Sequence, residues 1–208
     1  MMGSIRLWGR ISSINVRKVL WTLQEVGAPF ERIDAGMAYG IVGTAEFGAK
    51  NPNRLIPLLE DGDFVLWESN TIVRYLCARF SPELYPAKLH QRFDAERWMD
   101  WQQTTLNRAS GLAFVQLVRT PPEARQPAVI EASRAAMTPL IDMLDAHLAV
   151  SRWMGGDSFG MADIPIACEI HRWWNLPQPR PNAPHVQRWF DCILARPATR
   201  GVLDIALA

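Results

Sequence analysis

Apolar positions in the first eighty residues alternate, then recur at helical spacing, then alternate again. Ile5-Arg6-Leu7-Trp8-Gly9 alternates and ends on glycine, which predicts a short strand. Val16, Val19, Leu20 and Leu23 mark one face of a helix closed by Gly27. Phe30 and Ile33 alternate in a second strand that runs to Asp34. A helix between two nearby strands is a βαβ unit, with a right-handed crossover and a parallel pair. Residues 35–49 hold Gly36, Gly40, Gly43 and Gly48 and predict a loop with a short, irregular helix. Pro57-Leu58-Leu59-Glu60 and Phe64-Val65-Leu66-Trp67 flank Asp61-Gly62-Asp63, a strong hairpin signal. Ile72, Val73, Leu76, Cys77 and Phe80 then return to helical spacing. The predicted order is β-α-β-α-β-β-α, a mixed sheet covered by helices.

Strand patterns vanish beyond about residue 90. Long helices are expected at roughly 90–118, 123–149, 163–175 and 185–206. Breaks fall at Pro121-Pro122, at Gly155-Gly156 and at the prolines 177, 179, 181 and 184. Pro139 lies inside the second helix and predicts a kink or a local break there. Residues 81–88 contain Pro82 and Pro86 and no periodicity. The expected plan is therefore an α/β domain over 1–80, a linker over 81–90 and an all-helical bundle over 91–208.

Composition narrows the function classes. A formal net charge of +1 leaves no basic excess to neutralise phosphates, which argues against a nucleic-acid binder. The densest basic group, Arg17-Lys18, sits in an amphipathic helical pattern and reads as a solvated face. Cys77, Cys168 and Cys192 are far apart among apolar neighbours, with no metal-ligand spacing, so reduced, buried thiols and no metal are expected. The opening Met1-Met2-Gly3-Ser4 leads into a short apolar segment broken by Arg6 and Arg10, without a long secretory core. No uninterrupted apolar stretch reaches spanning length, and the expectation is a soluble cytoplasmic protein with no membrane partner. Nine tryptophans are heavy usage, suited to cores and concave aromatic pockets.

Three sets of residues carry candidate chemistry. Pro57 opens a strand, where a missing N–H is tolerated. Glu68 and Ser69 begin a helix, whose N–H groups and dipole attract a carboxylate; ordinary capping is the structural alternative, and both roles can hold at once. Ser12, Ser13 and Asn15 lie at the start of the first helix, as caps or as hydrogen-bond donors to a ligand.

Asn51-Pro52-Asn53-Arg54-Leu55-Ile56-Pro57 resembles the Asn-Pro-x-x-x-Val/Ile-Pro segment of the glutathione S-transferase family. Glu68-Ser69-Asn70-Thr71-Ile72 is similar to its Glu-Ser-x-x-Ile. The run from Ser13 to Val19 resembles the start of helix one in theta-like bacterial members. Gly156-Asp157, Phe159 and Ala162-Asp163-Ile164 resemble the signature of a buried helix in the second domain. Each motif is weak alone; their order and spacing along nearly the whole chain make them strong together.

The resemblance implies a thioredoxin-like glutathione-binding domain followed by a helical domain that forms the second-substrate pocket. It implies a cis Pro57, with the Ile56 backbone pairing the cysteinyl part of glutathione, and Glu68 and Ser69 holding the γ-glutamyl end. Ser13 is the first choice to hydrogen-bond the sulfur, then Asn15, then Ser12. Lowering a thiol pKa by about two units favours the thiolate by roughly 2.7 kcal/mol. Two departures stand out: Arg54-Leu55 replaces the Gly-Lys or Gly-Gln whose polar side chain often helps hold the glycine carboxylate, leaving Arg54 as a substitute, and Gly160 stands where a Ser or Thr cap is usual. The first helix starts without the cysteine of thiol-exchanging relatives, and Cys77 falls on an apolar face. Trp101, Arg108 and Arg119 are expected in the second-substrate pocket, along the helix that also carries Trp98 and Phe114. Arg119 would hold an anionic electrophile such as a haloacid, or simply satisfy a helix C-terminus. Asp100 is expected to face a dimer partner, and Trp173 and Trp174 to pack in the core.

The implied function is a cytoplasmic, homodimeric detoxifying transferase that attacks small electrophiles with glutathione thiolate, by conjugation or dehalogenation. The alternative is a non-enzymatic binding or scaffold protein of the same fold. A maleyl-type isomerase ranks lower, because Ser12-Ser13-Ile14 lacks the cysteine of that motif.

Overall fold

The computed structural model describes residues 5–207, so Met1-Met2-Gly3-Ser4, at the start of the segment read against a secretory core, lies outside the described residues. Four short strands form one sheet: β1 (Ile5–Trp8), β2 (Phe30–Ile33), β3 (Leu58–Asp61) and β4 (Phe64–Trp67). Their order is β2-β1-β3-β4. β1 runs parallel to β2 and antiparallel to β3, which runs antiparallel to β4. Three helices alternate with them: α1 (Ile14–Glu25), α2 (Ala45–Lys50) and α3 (Ser69–Phe80). The predicted β-α-β-α-β-β-α order stands, with Gly62 at φ 62° making the hairpin turn that aligns Asp61 with Phe64.

Residues 81–88 form no helix or strand, and beyond them the described chain forms helices joined by loops, with one isolated bridge between Trp153 and Gly156. The predicted first long helix is a single rod: α4 (Leu89–Trp101), a π-helical stretch at Gln102–Leu106, α5 (Asn107–Phe114) and a second π-helical stretch at Val115–Arg119. α6 (Pro127–Val150), α7 (Asp163–Trp174) and α8 (Pro184–Leu194) complete the bundle. Of the two outcomes expected at Pro139, the break does not occur, since α6 is helical throughout. One expectation needs correction: the last helix stops at Leu194 rather than near 206 because Pro197 opens a separate short turn. No helix among the described residues is long and apolar enough to cross a membrane.

α1 is the element that joins the halves. It packs on α3 on one side and on α7 on the other. Both faces are therefore covered, and Val16 through Leu23 are buried without a gap. This overturns the solvated-face reading of Arg17-Lys18: Arg17 is 3% exposed and Lys18 0%. The amphipathic pattern marked the sheet-facing side correctly but gave no sign that a second layer covers the polar side. Cys77 and Cys168 are buried as expected, and burial pushes both thiols up to about 12. Cys192 is exposed, contrary to expectation, since its position on α8 faces away from the bundle core.

α7 is buried along its whole length. Its first residue, Asp163, accepts hydrogen bonds from the Met154 and Gly160 backbone N–H groups, both at 2.9 Å, and from Trp189 Nε1 at 2.8 Å. Half of a capping box survives there despite Gly160, and the same carboxylate ties the loop before α7 to α8. Asp163→Ala would strand three buried donors. We expect it to lower unfolding free energy by about 3 kcal/mol, measured by urea denaturation.

His171 gives a pH-dependent check. Burial, then the nearby charge of Arg17, pulls its pKa from 6.5 down to about 4. Between those values the unfolded chain binds a proton that the folded chain refuses. Stability contributed by this site therefore rises as pH climbs from 4 to 6.5, by up to about 3 kcal/mol. Burial raises Asp163 to about 6, and it titrates in the opposite sense over an overlapping window. The readout is consequently the difference in denaturation midpoint between wild type and His171→Gln, which should shrink as pH falls through that window.

Candidate functional site

The loop before β3 is shaped by Asn51, which is buried. Its Nδ2 donates to the Leu55 carbonyl at 2.8 Å and its Oδ1 accepts from the Asn53 N–H at 3.0 Å. This asparagine turn brings the chain to a cis Ile56–Pro57 peptide at the mouth of the sheet. Close approach there needs small neighbours. A Cβ on Gly9 would stand 3.3 Å from Ile56 Cβ and 2.4 Å from a Val16 methyl. Arg54 is not brought to the cleft. Its guanidinium donates to the carbonyls of Val42 and Thr44 at 3.2 and 2.8 Å, clamping the preceding loop. Leu55 stays at the rim, 66% exposed.

Opposite this corner, Glu68 precedes α3 in a left-handed backbone conformation, φ 74°, which a non-glycine residue adopts only when its surroundings impose it. Ser69 is buried at the first turn of α3, and its hydroxyl donates to Asn15 Oδ1 at 3.2 Å. Ile56, Pro57, Glu68, Ser69 and Asn15 share a cleft of about 120 Å³ with Asn53 and with Gln103 from the helical rod. A helix N-terminus and a serine hydroxyl supply donors for a carboxylate, and Glu68 supplies an acceptor for an ammonium. Together these groups could pair with both charges of an α-amino acid headgroup.

A buried polar network stands behind it. Lys18 Nζ donates to Gln102 Oε1 at 2.8 Å, Gln103 Oε1 at 3.1 Å and Asn70 Oδ1 at 3.2 Å. Gln102 passes the link on, its Nε2 donating to Glu169 Oε2 at 3.0 Å. Glu169, fully buried on α7, also pairs with Arg172 and accepts from the Ser110 hydroxyl. Burial pushes Lys18 down to about 8, with the charge of Glu169 opposing the shift. Since an ammonium only donates, Gln103 must turn its oxygen to Lys18, which leaves the amide NH₂ as the end available to the cleft.

A larger cavity of about 430 Å³ adjoins the cleft. Ser12, Ser13 and Asn15 line it from the start of α1, and Arg108, Phe114 and Arg119 from the helical rod. Ser13 is the N-cap of α1, yet its side chain makes no capping hydrogen bond, so among the described residues the hydroxyl is uncommitted. Asn15 lines both cavities. Trp101 is not brought to either; it packs edge-on against Trp98 with ring centres 5.3 Å apart. Asp100 pairs with Arg74 of its own chain. Asn53, Gln103, Lys18 and Arg10 were missed at the sequence level. Asn53 sits inside the motif that flagged its neighbours, whereas nothing local to Gln103 or Lys18 signals that they meet across the two halves.

The chain matches the family models described as glutathione S-transferase N-terminal domain, over residues 3–78, and glutathione S-transferase C-terminal domain, over residues 127–192. It is 45% identical over 207 residues to glutathione S-transferase GstB of Escherichia coli K12, covering 98% of this chain and 100% of the relative. Glutathione S-transferase 3 of Zea mays is 34% identical, over 95% of this chain and 92% of its own. Among solved structures, the theta class glutathione S-transferase from Xanthomonas axonopodis pv. citri with glutathione bound superposes with a TM-score of 0.96. It is 40% identical, and each chain is covered in full.

The buried network supplies its own test. Lys18→Met would leave three amide oxygens facing an apolar chain and Glu169 without the opposing ammonium. The variant should lose about 3 kcal/mol of stability in chemical denaturation, more than a surface Lys→Met such as Lys88→Met in the same assay.

Proposed function

This chain belongs to the glutathione S-transferase family and is a glutathione transferase, and on that premise we propose that its two adjoining cavities divide the reaction between them. The smaller cleft takes the γ-glutamyl end of glutathione: its carboxylate at Ser69, the α3 N-terminus and the Gln103 amide, its ammonium at Glu68. The Ile56 backbone beside Pro57 pairs with the cysteinyl unit. The larger cavity admits the electrophile. Asn15 carries this reading, because it lines both spaces and so stands where the sulfur must pass from one to the other.

A free thiol titrates near ~8.5 and is mostly protonated at neutral pH. With Asn15 Oδ1 turned to Ser69, its amide NH₂ is left to donate to the sulfur. The uncommitted Ser13 hydroxyl is a second donor, and the N-terminal dipole of α1 adds positive potential. Together they favour the thiolate. The thiolate then attacks a small electrophile such as a halogenated acid: a carbon–sulfur bond forms, and halide leaves with the bonding electron pair. The charge of Arg119 orients the acid group. Arg54, occupied with two loop carbonyls, supports the cleft indirectly, and the exposed Leu55 covers the glycine end by apolar contact.

The same reading divides the chain into a glutathione domain over 1–80, a linker over 81–90 and a pocket-forming helical domain over 91–208, acting in detoxification in the cytoplasm. It also makes the enzyme a homodimer. Supporting that, Phe64 on β4 and Phe93 on α4 are 47% and 60% exposed, apolar area that a second subunit would cover near Asp100.

Asn15→Ala and Ser13→Ala test the sulfur contacts. Each should lower kcat with chlorodinitrobenzene, the more important donor by about a hundredfold, and raise the pH at which bound glutathione shows thiolate absorbance. Wild-type rates and an unmoved thiol titration in both variants would overturn the assignment.

A further inference from the structure

The larger cavity carries more positive charge than a singly charged acid needs. Five arginines line it. Two are committed within the fold: Arg17 donates to the Ile11 and Ala206 carbonyls, and Arg172 pairs with Glu169. Arg10, Arg108 and Arg119 form no salt bridge with any described residue. Arg10 follows β1, on the wall given by the sheet half, and its Nε is buried with no hydrogen-bond partner among the described residues. Arg119 ends the helical rod on the other wall, its guanidinium carbon 4.7 Å from the centre of the Phe114 ring. Desolvation lowers the pKa of Arg10 and the charge of Arg119 lowers it further.

The two walls then select the substrate. A guanidinium stays protonated in proteins, so Arg10 and Arg119 place a positive charge on each wall of the cavity with no salt bridge to a described residue. A monocarboxylate meets one of these charges, whereas a dicarboxylate meets both. Anions that meet guanidinium groups form strong, geometrically specific hydrogen bonds. We propose that the second substrate is a small electrophile bearing two carboxylates, one held at Arg10 and the other at Arg119. This rests on the reading that the larger cavity admits the electrophile. With a halogenated dicarboxylate, the sulfur displaces halide from the carbon next to one carboxylate. The carbon–sulfur bond forms as the carbon–halogen bond breaks, halide carries away the electron pair, and no proton moves.

Two measurements on the full chain test it. In the first, kcat/KM for bromosuccinate and for bromoacetate is each divided by the rate of free glutathione with the same compound at the same pH. The corrected ratio should favour bromosuccinate by roughly tenfold, one well-made extra ionic contact. Arg10→Met and Arg119→Met should each bring the ratio close to one. In the second, which requires no turnover, calorimetry on the glutathione-loaded protein should show succinate binding roughly tenfold more tightly than butyrate. Either variant should erase that difference. Equal binding of succinate and butyrate, or a wild-type ratio near one, would overturn the dicarboxylate assignment. Failure of the broader transferase reading shows separately, as no conjugation of neutral chlorodinitrobenzene.

Discussion

A lysine ammonium without access to water is the constraint around which the two halves of this molecule are arranged. Lys18 is fully buried between the sheet half and the helical half, and no carboxylate of the described residues pairs with it. Desolvating a charge is costly unless its donors are satisfied. Here three amide oxygens do that, one from α3 and two from the first π-helical stretch of the rod. Each of those elements must therefore sit at one distance and one rotation relative to α1. Gln102 extends the requirement to Glu169 on α7, so that sheet, rod and central helix are held in one mutual register.

The functional cavities inherit that register. Gln103 belongs to the helical rod but lines the cleft formed by the sheet half, and it does so while bonded to Lys18. The second π-helical stretch ends at Arg119, which lines the neighbouring cavity. Extra residues in a helical turn shift the azimuth of whatever follows, which is one use of π-helical turns near functional sites. Between the two cavities stands Asn15, one turn before Lys18 on the same helix. The helix that anchors the interface thus also presents the residue at the crossing point.

Polarity within the site is ordered by simple donor and acceptor rules. An ammonium forces the oxygen of Gln103 inward, and the Ser69 hydroxyl takes up the oxygen of Asn15, which leaves amide donors on the ligand side in both cases. Glu68 in its left-handed conformation is the acidic exception at the cleft. On the far side, the cavity walls carry guanidinium groups with no carboxylate among the described lining residues. On the proposed reading, a thiolate and an anionic electrophile would be drawn to adjacent places by positive potential of the same origin.

Much of this was legible along the chain, and the reason is locality. The strand, hairpin and helix signals depend on residues within one turn or one pleat of each other, so the β-α-β-α-β-β-α order and the helical second half were readable from spacing. That Pro57 opens a strand and that Glu68 and Ser69 begin a helix were readable too, because each boundary is defined by its own neighbours. Tertiary structure decided the rest. It covered the polar face of α1 and turned Arg17 and Lys18 from surface residues into buried ones. It drew Arg54 away to loop carbonyls, left Trp101 packed on Trp98, and brought Gln103 and Arg10 to cavities that no stretch of sequence contains. Amphipathic spacing reports that one side of a helix meets apolar neighbours. What meets its other side depends on residues more than fifty positions away, and only the folded chain brings them together.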